Sequence, residues 1–78
     1  MEIKVLGPGC MNCKTLEKRT NEALAELGKT ATVIKVEDYA EIASFGIAST
    51  PGLVIDGEVV VAGRVPTKQA IKEFIQAR

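Results

Sequence analysis

The sequence predicts an α/β domain with a four-stranded mixed sheet and helices on both faces, and three observations predict it. Apolar residues repeat with the period of a strand over Glu2–Leu6 and then with the period of a helix from about Asn12 to Leu27. Two short apolar runs, Gly52–Ile55 and Val59–Ala62, are separated by Asp56-Gly57, which is a strong hairpin signal because both residues tolerate positive φ. The chain closes on an amphipathic segment, Thr67 to about Ala77, rather than on a strand.

Taken in order, Ile3 and Val5 share one face of the first strand and Lys4 and Leu6 the other. Gly7-Pro8-Gly9 breaks it with a tight loop. Cys13, Leu16, Thr20, Ala23, Leu24 and Leu27 then recur at spacings of three and four, and Gly28 supplies the stop. Ala31–Val36 is a β-branched run and reads as the second strand. Asp38 to Glu41 has the spacing of a capping box, with a short helix to about Phe45 ended by Gly46. Ile42 and Phe45 are its expected core contacts. Thr67 is the expected N-cap of the last helix, whose apolar face is Ala70, Ile71, Phe74 and Ile75. The order is β-α-β-α-β-β-α. The helix between the first two strands implies that they are parallel, and the hairpin is antiparallel within itself.

With 78 residues the chain is one domain, 1–78, with a small core. A chain of this size buries only about 60–65% of the surface its unfolded form exposes. Ten basic and ten acidic residues give zero formal charge and form no basic block, which argues against nucleic acid and anionic membrane as partners. No apolar run reaches the ~20 residues of a membrane span, and the N-terminus lacks the pattern of a secretory signal. A cytoplasmic monomer is the expectation. In that compartment a Cys-x-x-Cys pair points to catalysis or metal binding rather than to a structural disulfide.

Cys10 and Cys13 are the only cysteines, and there is no histidine. Cys10 falls where the loop meets the helix, and Cys13 lies three residues further on, on the same side. A helix N-terminus carries unpaired N–H groups and about half a positive charge, which favours thiolate over thiol. Cys10 is therefore the expected nucleophile and Cys13 the resolving thiol of a disulfide exchange. Lys14 reads as a solvated surface lysine, with a contribution to that field as the other reading. A zinc site would need two further ligands that neither Cys nor His can supply, whereas two thiolates suffice for copper(I). A soft-metal (copper) binding, metallochaperone-like module is thus the alternative to the redox couple. Thr50-Pro51, before the hairpin, suits an edge strand. In the redox reading a cis Pro51 beside the Cys10 loop would leave the Thr50 backbone free for an extended substrate segment. Pro8, Met11, Ile47 and Pro51 would then form an apolar collar.

These motifs, over nearly all of the chain, resemble a minimal thioredoxin fold. More narrowly, they resemble the small thioredoxin-like or glutaredoxin-like redox-active disulfide proteins of archaea and bacteria. Cys10-Met11-Asn12-Cys13 matches the active-site motif of that family, and Thr50-Pro51 its cis-proline element. Ile55-Asp56-Gly57-Glu58 and Gly63-Arg64-Val65-Pro66 match its hairpin and the lead-in to its last helix. The resemblance implies a protein disulfide oxidoreductase in electron transport, with Cys10 and Cys13 catalytic and Pro8, Met11, Thr50 and Pro51 binding substrate. It implies no cofactor and no resident metal. Its partners would be protein disulfides and an electron donor of the thioredoxin-reductase or glutathione kind. Gly9 stands where thioredoxins usually have tryptophan. Met11-Asn12 stands where they have Gly-Pro and glutaredoxins Pro-Tyr. Lys4 is nearest the position of the thioredoxins' buried carboxylate.

Overall fold

The structure, a computed structural model, describes residues 1–78. Its elements are β1 (Glu2–Leu6), α1 (Met11–Leu27), β2 (Thr32–Val36), α2 (Tyr39–Ser44), β3 (Gly52–Ile55), β4 (Glu58–Ala62) and α3 (Lys68–Gln76). The order matches the expectation, with ends moved by a residue or two. Asp38 and Thr67 act as the expected caps, accepting from the N–H groups of Glu41 (3.0 Å) and Ala70 (3.1 Å), so each stands outside the helix it starts.

The four strands form one sheet in the order β2-β1-β3-β4. β1 runs parallel to β2 and antiparallel to β3, and β3 is antiparallel to β4. Asp56 (φ 48°) and Gly57 (φ 85°) make the two-residue turn that their sequence signals. Asp56 also accepts from the Glu2 N–H at 2.8 Å, tying the hairpin to the start of β1.

β1 and β3 are central, so both of their faces are largely apolar. On one face Ile3, Val5, Leu53 and Ile55 meet Leu16, Ala23 and Leu24 of α1 and Ile71 and Ile75 of α3. On the other, Leu6, Val36 and Val54 meet Ile42 of α2, with Phe45 and Ile47 packed alongside. Helices therefore cover both faces. Thr20, the one polar residue on the buried face of α1, donates its hydroxyl to Leu16 O at 2.8 Å. α3 is pinned to α1 at its start by Arg19, which donates to Pro66 O at 3.0 Å, and along its length by Glu26 with Lys68 and Lys72.

One irregularity was not legible in the alternation of β4. Leu53 faces Val61 but Val54 faces Val59, so Val60 is an extra residue in the ladder. The bulge lets both Val60 and Val61 pack on the α1/α3 side while Val59 packs on the α2 side.

Candidate active site

β1 ends at Leu6, and Gly7 extends it by one hydrogen bond, donating to Val36 O at 2.9 Å. The chain then turns through Pro8 and Gly9 and enters α1 with Cys10 in extended conformation as N-cap. A side-chain acceptor is wanted there, because the first N–H groups of a helix have no partner within it. Sulfur supplies it: Cys13 N–H donates to Cys10 Sγ at 3.3 Å. The two thiols face opposite environments. Cys10 is exposed, while Cys13 is 5% exposed on the buried face of α1.

Those environments separate their acidities. Hydrogen bonding from the Cys13 side chain, then from the Cys13 backbone N–H, lowers the Cys10 pKa from its ordinary value. Burial, and then the hydrogen bond to Cys10, raises that of Cys13. The pair is thus biased in opposite senses, Cys10 towards the thiolate and Cys13 towards the thiol. Lys14 is exposed and does not figure among the causes acting on Cys10, in keeping with its reading as a surface lysine. Iodoacetamide at about pH 7, below the ordinary thiol pKa of ~8.5, should therefore label Cys10 well before Cys13. Peptide mapping after partial labelling reads the ratio, and equal labelling would refute this separation.

Thr50-Pro51 is a cis peptide. Leu6 pairs with Gly52, so the next residues outward, Gly7 and Pro51, continue opposite each other at the same end of the sheet. The approach is close: a methyl group on Gly7 would fall on Cys13 Sγ and lie 3.9 Å from Thr50 Cβ. Gly7 is thus the floor on which the buried cysteine and the Thr50 segment meet. Pro51 O accepts from Gly63 N–H at 2.8 Å, whereas the N–H and C=O of Thr50 have no backbone partner. The collar takes a different form from the one expected. Pro8 and Met11 are exposed, Met11 by 78%, but Pro51 is fully buried and Ile47 leans into the α2 cluster. Pro51 is thus covered by its surroundings rather than presented at the rim.

Three residues beside Cys13 had no part in the expectation. A cavity of about 60 Å³ is lined by Cys13 together with Val5, Lys14, Glu17, Lys35 and Glu37. Glu17 and Lys35 form an ion pair at 3.8 Å across it. Lys4, the strand position of interest, lies on the other face, 3.7 Å from Glu2 and 5.3 Å from the centre of the Phe45 ring. The missed signal was available: Glu17 follows Cys13 by four residues on α1, and Lys35 pairs with Val5 in the parallel register. Charged side chains from α1 and from the β2 end thus stand beside the buried thiol. No group of three or more His, Cys, Asp or Glu side chains is placed to hold a metal ion.

Comparison with known proteins agrees with this arrangement. The family profile described as "Thioredoxin domain" matches residues 1–76. A thioredoxin of Methanothermobacter thermautotrophicus is 41% identical over 75 residues, covering 96% of this chain and 97% of that protein. A thioredoxin of Methanocaldococcus jannaschii is 35% identical over 75 residues, covering 96% of this chain and 86% of that protein.

Proposed function

The chain belongs to the thioredoxin domain family of disulfide oxidoreductases, and on that premise we propose that it reduces protein disulfides through Cys10 as nucleophile and Cys13 as resolving thiol. The observation that carries this reading is the placement of the two cysteines, Cys10 exposed as the N-cap of α1 with its sulfur accepting from Cys13 N–H, and Cys13 buried one turn inside. The Cys10 thiolate attacks one sulfur of the substrate disulfide. That S–S bond breaks, one substrate thiolate leaves, and Cys10 holds the other half as a mixed disulfide. Cys13 then loses its proton into the cavity bearing Glu17 and Glu37 and attacks Cys10 Sγ. The second substrate thiolate departs, both leaving groups take up protons, and the protein keeps a Cys10–Cys13 disulfide. Two electrons have moved from protein to substrate, and a dithiol donor returns them.

Thr50 supports the substrate side of this reading. An extended segment laid across it finds one free N–H and one free C=O beside the cysteines, the minimum for strand-like pairing. Pro8 and Met11 give that segment apolar contact at the rim. A cytoplasmic site of action, with a reductase or a small thiol as donor, suits a couple that must be kept reduced. The test is reduction of insulin by dithiothreitol with and without the protein, followed by precipitation of the freed chain. Catalysis well above the uncatalysed rate is expected, and no acceleration would overturn the proposal. No particular contact favours the copper-binding alternative.

A further inference from the structure

Across the site end of the sheet the strand order fixes a row of four segments. Glu37 follows β2, the Gly7–Cys10 loop follows β1, Thr50-Pro51 precedes β3, and Gly63-Arg64 follows β4. At about 4.8 Å per strand, the two outer positions stand roughly 14 Å apart, with Cys10 and Thr50 between them. The outer positions carry opposite charges. Glu37 lies against the loop, its carboxylate 3.1 Å from where a Cβ on Gly9 would be. Arg64 is brought to the other side by Gly63. That residue has φ 79°, donates to Pro51 O, and lies against Ser49, whose Oγ a Cβ there would displace.

Both outer charges are exposed, and neither has an ionic partner within the chain. The neighbouring charges are otherwise engaged or apart. Lys35 is held by Glu17, Lys68 by Glu26, and Asp38 caps α2, while Lys14 lines the Cys13 cavity without reaching ion-pair distance of Glu37. Arg19 and Arg78 both have acceptors, Pro66 O and Glu58, so Arg64 is the arginine left free.

We propose that Glu37 and Arg64 read the charge order of the substrate, so that the protein docks a disulfide-bearing protein segment whose target cysteine lies between a basic residue on the Glu37 side and an acidic residue on the Arg64 side. This deepens the disulfide-reductase reading and rests on it. An extended segment advances ~3.3 Å per residue, so the roughly 14 Å row corresponds to about four residues of substrate. The two charges are separated by more than the ~8 Å screening length of physiological salt, so each acts on its own side chain rather than as a single field.

The test uses two peptides of identical composition and net charge. One has Lys two residues before the cysteine and Glu two residues after it, and the other has them exchanged. Each is joined through its cysteine to a chromogenic aromatic thiol, and kcat/KM is read from release of that thiol. One peptide should be used about three- to ten-fold better than the other, and the ratio should fall towards one in about 0.5 M salt. The doubly reversed variant, Glu37→Arg with Arg64→Glu, should invert the preference. Equal use of the two peptides, or a ratio that survives both salt and charge reversal, overturns the inference while leaving the reductase reading intact. Failure to turn over either peptide overturns both.

Discussion

Replacing Cys10 with serine should reduce disulfide reduction to the uncatalysed rate, while replacing Cys13 with serine should accumulate protein–substrate mixed disulfides visible on non-reducing gels. The two outcomes differ because the two sulfurs do. A serine hydroxyl at position 10 still caps α1, so the fold is expected to survive, but it is not ionised at neutral pH and is no nucleophile towards sulfur. A serine at position 13 keeps a donor towards Cys10 Sγ, so the first attack proceeds and only the release step is lost. Alanine at position 13 removes that donor. Since the Cys13 side chain is the largest influence lowering Cys10, Cys13→Ala should need a higher pH than Cys13→Ser for the same rate of Cys10 alkylation. The sign follows from charge: a lost hydrogen bond to the thiolate favours the protonated form. Trapping by Cys10→Ser instead would exchange the two roles.

Much of this was legible beforehand because local and global signals agree. Leu16, Thr20, Ala23 and Leu24 keep one helical stripe, and all are buried where that stripe predicts. Asp56-Gly57 announces its turn because few dipeptides accept two consecutive positive φ values. Cys10 and Cys13 stood out by spacing, and a helix start argues for a lowered Cys10, whereas the raised Cys13 comes from burial and from its bond to Cys10. What escaped depends on three-dimensional neighbours. The Val60 bulge depends on which face β4 must fill against α1 and α3, not on its own alternation. Pro51 was expected against the Cys10 loop, and its complete burial follows from the β1–β3 register, which nothing in Thr50-Pro51 itself announces. Glu17, Lys35 and Glu37 come from two elements, and only the parallel pairing of β1 with β2 sets them around Cys13.

Gly7 is the sharpest case of such a hidden requirement, and Gly7→Ala should be costly at a position whose backbone does not demand glycine. Gly7 is not among the residues with positive φ, so the usual steric objection to alanine is absent. On backbone entropy alone the substitution would stabilise by about 0.4–1 kcal/mol. The new methyl group, however, would overlap Cys13 Sγ and stand 3.2 Å from Cys13 Cβ. Cys13 has little freedom to withdraw, because α1 is anchored one turn on by Leu16 and further along by Ala23 and Leu24, and helix side chains have few open rotamers. Nor can Gly7 retreat without losing its bond to Val36 O. Overpacking of this kind costs about 1–3 kcal/mol. At about 4–8 °C per kcal/mol for a domain of this length, Tm should fall by roughly 5–20 °C. Reductase activity should fall at the resolving step, with mixed disulfide persisting as it does without Cys13. The cause is separable by adding Cys13→Ala: with Sγ gone, most of the stability lost to Gly7→Ala should return, giving a coupling of about 1–3 kcal/mol in the double-mutant cycle. Additive losses in that cycle would mean that Gly7 serves the β1–β2 pairing alone and that the contact with Cys13 is not what excludes a side chain there.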